Sequence, residues 1–393
     1  MNHKLIITKL DNRIVSAIYD GNEMLQVNLD KTSEQSILGN IYVGKVKNIV
    51  KNISAAFVEI AGGRMCYLAL EENPNPIYVN AKKQDRILVG DELLVQIAKE
   101  DVKTKAPVVT TNLNFTGKYT VLIHGKSTLG VSAKISEDGE RKRLKEVMKA
   151  FKQDSYGFIV RTNAVNIDRE RLEEEVQSLT KQYNELREYG IHKSTFSLIY
   201  QTPPGFICDI RDGFADKIDE ILTDDREIFD KIQEYLINYQ KEDLSKLKFY
   251  EDKLITLSNL YSIRTKLETA MRDKVWLKSG GTIIIQPTEA LTVIDVNTGK
   301  AINGKKKVQD TFYKINMEAA AEIAKQIRLR NLSGIIIIDF IDMEQQEYKE
   351  GLMKGLEELF RKDPIKTTLV DMTALNLVEV TRKKVRKPLY EQV

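Results

Sequence analysis

The chain has 393 residues, 42% hydrophobic and 30% charged, with a formal net charge of +3. That is room for roughly two to four soluble domains, and the charge is too balanced to name a polyanionic partner by itself. Cys66 and Cys208 sit in no CxxC or CxxH spacing, which excludes a disulfide framework and a zinc site of that kind and fits a reducing cytoplasm; the longest apolar run, 334–338, is far too short to span a membrane, and the N-terminus lacks the apolar core and cleavage site of a signal peptide.

Residues 1–35 alternate apolar and polar positions as KLIITKL, RIVSAIY and MLQVNL, three short strands that need a second layer from later in the chain. From Gly39 come GNIYVGKVKNIV, SAAFVEI, RMCYLAL, DELLVQIAK and APVVTTNL. These short strands, separated by Asn, Gly, Pro and Lys turns, predict a small closed barrel of the OB type. Tyr42, Phe57 and Tyr67 fall among Lys45, Lys47 and Arg64. Rings interleaved with cations suit single-stranded nucleic acid, because bases stack on rings while cations follow phosphates; filling of the barrel interior is the competing reading.

Across 117–201 the pattern predicts an α/β unit: strand KYTVLIHG, a helix at 140–151, strand GFIVRTNA, a helix at 169–189 and strand FSLIYQ. Asp168 is the expected N-cap of the second helix, with Glu170, Glu173, Glu174 and Glu175 suiting its positive end. Arg161 and Thr162 end an apolar strand with a guanidinium fork beside a hydroxyl, a pair that can clamp a phosphate or make an ordinary strand-end ion pair. The stretch 214–276 is expected to be mainly helical, with one strand-like break at KLKFYE and a second helix at 258–274. Strands and helices then alternate through TIIIQPTEALTVIDVNTG, a helix at 311–329, SGIIIIDFIDM, a helix at 344–361 and TTLVDMT, predicting a layered α/β domain. Three basic clusters stand out: Lys45 with Lys47 and Lys51, the run at 304–307, and the run at 382–387. Each taken singly reads as solvated surface.

Strand alternation puts Asp295 and Asn297 on one face of LTVIDVN, and GIIIIDF ends in Asp339, one helix further on. A β-helix-β connection of that length lets the two strands lie side by side. Two carboxylates brought together repel unless one is protonated or a cation lies between them, and oxygen ligands with positions open to water match Mg2+ or Mn2+. Asn297 is then placed to orient a nucleophile or a scissile phosphate. Asp342, three residues past Asp339, is expected on the opposite face as a supporting or capping acid. The plainer reading has Asp295 capping a turn and Asp339 capping a helix.

EALTVIDVNTGK with EAAAEIAKQIRLRNLSGIIIIDFIDM resembles the catalytic signature of the ribonuclease E/G family; GNIYVGKVKNIVKNISAAFVEI resembles its RNA-binding barrel and GFIVRT its sensor segment. The resemblance implies an α/β multidomain fold: an RNase H-like subdomain in two parts (1–35 and 205–275), an inserted OB-fold barrel (36–118), a 5′-phosphate sensor unit (119–204) and a DNase I-like catalytic subdomain (276–393). It also implies a cytoplasmic, Mg2+-dependent endoribonuclease, with Mn2+ as substitute, acting in rRNA processing and mRNA decay. Such an enzyme cuts single-stranded A/U-rich RNA to 5′-phosphate and 3′-hydroxyl ends and prefers 5′-monophosphorylated substrates. Asp295 and Asp339 are the implied metal ligands, Asn297 assists at the scissile phosphate, Phe57 and Tyr67 hold RNA, and Arg161 with Thr162 reads the 5′ phosphate. Two departures bear on the expectation. Ser132-Ala133-Lys134 keeps one basic residue where adjacent ones are usual, and Lys366 stands where arginine is common, lacking its planar fork. Members typically continue into a CPxC zinc link and a dimerisation domain; no CPxC occurs before Val393, so a homodimer stays open and a tetramer is not expected. A catalytically silent RNA-binding adaptor, and a phosphatase or nucleotide hydrolase on the same folds, are the alternatives.

Overall fold

The computed structural model describes residues 3–32, 36–79, 86–100, 106–212, 218–299 and 308–393. The chain divides into two compact units, Gln35–Ala215 and a second made of Met1–Glu34 with Asp216–Val393. The basic run at 304–307 lies outside the described residues.

In the first unit Ile41–Val50, Ala55–Ile60, Arg64–Ala69, Val108–Thr110 and Glu92–Lys99 follow one another around a barrel that closes where Ile41–Val50 meets Glu92–Lys99. Alternate residues turn inward, so Val46, Val58, Cys66, Leu68 and Val95 share one apolar interior. Gly44 is required there: a Cβ would stand 2.5 Å from a Val58 methyl and 2.8 Å from a Val95 methyl. Leu198–Tyr200, expected with the neighbouring α/β unit, instead pairs with Ile41–Val50 at the barrel's margin. Three residues are too few to show a face in sequence, so pairing decided their place.

The neighbouring sheet runs Leu129–Val131, Tyr156–Val160, Thr120–His124, Asn114–Thr116. The helices Asp138–Lys149 and Arg169–Gly190 supply Leu144, Val147, Leu172, Val176 and Tyr183 to its apolar core, which also takes in Ile41, Val43 and Leu94 of the barrel strands. Asp168 occupies the N-cap position of the longer helix without capping it through its side chain. Of the four glutamates expected to suit that helix end, Glu175 turns toward the sheet, accepting from the amides of Lys118 (2.7 Å), Tyr119 (2.9 Å) and Thr120 (2.7 Å). Three converging strand-end N–H groups are a stronger attraction for a carboxylate than a helix macrodipole.

In the second unit the N-terminal strands find their layer. A five-stranded sheet runs Leu247–Phe249, Ile218–Thr223, His3–Leu10, Arg13–Asp20, Glu23–Lys31, and its first three strands are parallel. Ile218–Thr223 lies in a stretch expected to be helical; IDEILT has apolar residues at spacings of three and one, which periodicity cannot separate from a helix. The helix expected at 258–274 is two pieces, Leu257–Leu260 and Ile263–Ala270, broken where Ser262 takes φ +51°.

A six-stranded sheet completes that unit in the order Lys274–Trp276, Thr282–Pro287, Leu291–Asn297, Gly334–Asp339, Leu377–Arg382, Thr367–Met372. The helices Val308–Leu329 and Gln346–Arg361 bury Ile315, Ala319, Ile323, Leu352 and Leu356 against one face. On the strand next to the sheet's far edge Arg382, buried, makes charge-assisted bonds to Asp363 (2.7 and 3.2 Å) and reaches Asn331 (2.8 Å). Among the described residues no helix is long and apolar enough to cross a membrane.

Candidate functional site: a carboxylate pair, an aromatic pair and an arginine clamp

The sheet's buried face is set by Ile294, Val296, Ile336 and Ile338, which pack under the helices. Alternation then turns Asp295 and Asn297 to the open face. Leu291–Asn297 and Gly334–Asp339 are parallel neighbours, and Asp295 and Asp339 are direct partners in register. The Asn297 amide donates to Asp295 Oδ2 at 2.5 Å. Burial, together with the charges of Asp295 and then Asp342, raises the pKa of the Asp339 carboxyl. Among the described residues neither acid has an ion-pair partner.

Asp342 is a correction to strict alternation. The strand ends at Asp339 and the chain turns through Phe340 and Ile341, so alternation does not extend to Asp342, whose charge adds to the effects that raise the Asp339 pKa. Its carboxylate accepts from the Asn376 amide at 3.1 Å, and Asn376 in turn accepts from Lys349 at 2.7 Å. The turn is pinned by Asn316, fully buried on the long helix, which donates to the Ile341 carbonyl at 2.8 Å and accepts from its amide at 3.1 Å. Asn316 escaped sequence reasoning, although a polar residue on an otherwise apolar helix face is a signal of such a role.

Among the described residues no group of three or more His, Cys, Asp or Glu side chains is arranged as a metal cage. Two adjacent carboxylates with excess negative charge fit a hard cation that takes its remaining oxygens from water or substrate.

On the barrel the three ring candidates part. Tyr42 is buried in the interior, whereas Phe57 and Tyr67 are partners in register on adjacent strands and half-buried. Their ring centroids lie 6.2 Å apart at 79°, edge to face. Ala56, Val58, Cys66 and Leu68 take the inward positions, leaving the two rings on the outer face. Lys47 pairs with Glu59 at 2.9 Å and Lys45 with Glu92 at 3.7 Å.

Arg161 follows the strand Tyr156–Val160, and Thr162 opens a short 3-10 turn, Thr162–Ala164. The guanidinium donates to the Gly117 carbonyl at 2.6 Å and lies 2.9 Å from Asp212 Oδ1. Lys134 is exposed in the turn after Leu129–Val131, whose neighbour Ser132 donates its amide to the Val160 carbonyl at 2.9 Å. That bond puts the Lys134 turn at the strand end that carries Arg161. Arg141 holds the turn through the carbonyls of Ser132 (2.7 Å) and Ile135 (2.9 Å). Lys366 belongs to the other unit, exposed in a turn whose carbonyl accepts from the Lys383 amide at 2.9 Å. The roles of Asp212 and Glu175 were missed because each acts through contacts about fifty residues away in the chain, and that of Arg141 because a turn's shape sets it.

With this geometry in view, comparisons with known proteins are specific. Residues 114–385 match the model of the ribonuclease E/G family. The chain is 33% identical to ribonuclease G of Escherichia coli K12, over 99% of its own length and 81% of that protein. Ribonuclease G of Haemophilus influenzae is 31% identical over 98% of this chain and 80% of its own, and ribonuclease E of Buchnera aphidicola 30% identical over 100% and 41%. The chain belongs to the ribonuclease E/G family.

Proposed function

We propose that this protein is a Mg2+-dependent endoribonuclease that cuts single-stranded, A/U-rich RNA and prefers 5′-monophosphorylated ends, acting in the cytoplasm in rRNA processing and mRNA decay. The observation that carries the reading is the registered pair Asp295 and Asp339 on an open sheet face, with Asn297 bonded to Asp295. Asp295 and Asp339 would hold the cation through carboxylate oxygens. When bound, a hard divalent cation supplies charge neutralisation at the scissile phosphate and acidifies a coordinated water, giving 5′-phosphate and 3′-hydroxyl products. Asn297, fixed by Asp295, orients the phosphate, and the open face admits an extended strand. Phe57 and Tyr67 provide surfaces on which unpaired bases stack, favouring single-stranded over duplex RNA. Arg161 and Thr162, with Lys134 of the same unit, receive the 5′ phosphate. Family membership and the names of the similar proteins, ribonuclease G and ribonuclease E, support RNA as the substrate. Two buried cysteines without a disulfide accord with a reducing compartment. Within this reading the five-stranded sheet is the RNase H-like subdomain and the six-stranded sheet the DNase I-like one.

Incubation of a 5′-monophosphorylated A/U-rich oligomer with the protein tests this. Internal cleavage is expected with Mg2+ or Mn2+ and not with EDTA, and Asp295→Asn is expected to slow it by about 100-fold or more, the scale of a lost electrostatic contact at a transition state. Binding without metal-dependent strand scission would leave an RNA-binding adaptor instead, and release of phosphate without scission a phosphatase.

A further inference from the structure

We infer that Asp212 is the positioning residue of the 5′-end clamp, holding the Arg161 guanidinium in the orientation that receives a terminal phosphate; this deepens, and rests on, the reading of Arg161 as the phosphate-binding group.

The geometry is two-sided. Arg161 is a long side chain with much rotamer freedom to lose, so a clamp built on it needs anchors before the ligand arrives. One is the Gly117 carbonyl at 2.6 Å, the other Asp212 Oδ1 at 2.9 Å. Both act on the terminal nitrogens, and the side chain remains 23% exposed, which leaves donors for a ligand. The anchors are themselves held. Gly117 precedes the amides that Glu175 binds, and a Cβ on Gly117 would fall 2.5 to 2.8 Å from the Glu175 carboxylate. The Arg161 amide donates to the Tyr119 carbonyl at 2.7 Å in the same turn.

Asp212 ends the helix Gly205–Asp212 and is fixed from two further directions. Arg211 Nε bonds the same Oδ1 at 3.0 Å, and Asn163, next to Thr162, donates its amide to the Asp212 carbonyl at 3.1 Å. One carboxylate thus meets two guanidinium groups. Burial opposes its ionisation, and Arg211 and Arg161 outweigh that effect, keeping its pKa below the ordinary aspartate range. The acid stays charged and the balance among these three groups stays positive, so Asp212 orients Arg161 without fully cancelling its charge.

The test is the ratio of kcat/KM for a 5′-monophosphorylated RNA to that for the same RNA with a 5′-hydroxyl. Asp212→Ala and Asp212→Ser remove the anchor and are expected to lower the ratio about tenfold, with the loss in KM for the monophosphorylated RNA, as a guanidinium regains its rotamers. Asp212→Asn keeps an acceptor oxygen at that place without the charge and is expected to hold the ratio within about twofold. In an Arg161→Gln background the Asp212 substitutions are expected to change the ratio no further. If Arg161→Gln abolishes the preference while Asp212→Ala and Asp212→Ser leave it intact, Asp212 only ties down its helix and the inference is overturned. A ratio that rises in any Asp212 variant makes Asp212 a competitor of the phosphate and also overturns it. If Arg161→Gln leaves the ratio unaltered, the clamp reading itself fails, and the inference with it.

Discussion

Asp339 carries the chemistry proposed here at a cost to stability that can be measured. Its carboxyl is pushed up by burial and by Asp295 and Asp342, so in the absence of a cation its ionisation is opposed. Asp339→Asn is therefore expected to abolish cleavage while leaving the melting temperature in EDTA equal to or above that of the wild type; a clear drop would show that the carboxylate is structural. His124 makes the opposite kind of statement. Its Nε2 lies 2.9 Å from the Asn75 carbonyl, which can only accept, so Nε2 carries the hydrogen and Nδ1 accepts from the Tyr183 hydroxyl at 2.8 Å. Burial, aided by Arg187 and opposed by the Asn75 bond, lowers its pKa below the ordinary histidine value. The unfolded chain takes up a proton first as pH falls, so stability is lost from about pH 6.5 downward until the folded-state pKa is reached. Urea midpoints measured between pH 7.5 and 5.5 should show that loss, and His124→Gln should flatten it.

At the scale of elements, the strand pair Leu291–Asn297 and Gly334–Asp339 was legible because each is a short apolar run broken or ended by an aspartate, and alternation along the first puts Asp295 and Asn297 on one face. The helices Asp138–Lys149, Arg169–Gly190, Val308–Leu329 and Gln346–Arg361 fall near their expected places for the same reason, each repeating its apolar residues every three or four positions. The elements that escaped are short. Ile218–Thr223 and Leu377–Arg382 have too few residues to show a period, and cross-strand pairing decided them, while Leu198–Tyr200 was expected as a strand and pairing decided only its sheet. Leu377–Arg382 also carries the anchor of its sheet edge. Removing one partner of a buried pair leaves the other as an uncompensated charge, so Asp363→Ala is expected to destabilise the protein by about 3–5 kcal/mol, read as a lowered urea midpoint with an unchanged slope.

For the whole molecule, a net charge of +3 predicts little attraction to RNA at long range. Affinity then comes from local cations and from stacking, which salt distinguishes. Phe57→Ala is expected to weaken binding of a single-stranded oligomer by about 1–3 kcal/mol with the same dependence on salt, since a lost base contact releases no counterions. A changed salt slope with unchanged affinity at low salt would show that the ring does not stack on RNA. By itself the sequence determined the closed barrel, the main helices and the two strands that bear Asp295 and Asp339, because those features are written as local periodicity and local turns. Tertiary structure alone decided that Tyr42 goes inside the barrel while Phe57 and Tyr67 stay outside, that the Asp342 charge acts on Asp339, and that Asp212 and Gly117 anchor Arg161. Each depends on residues far apart in the chain, where contact is set by which faces must leave water and which polar groups must be paired once they do.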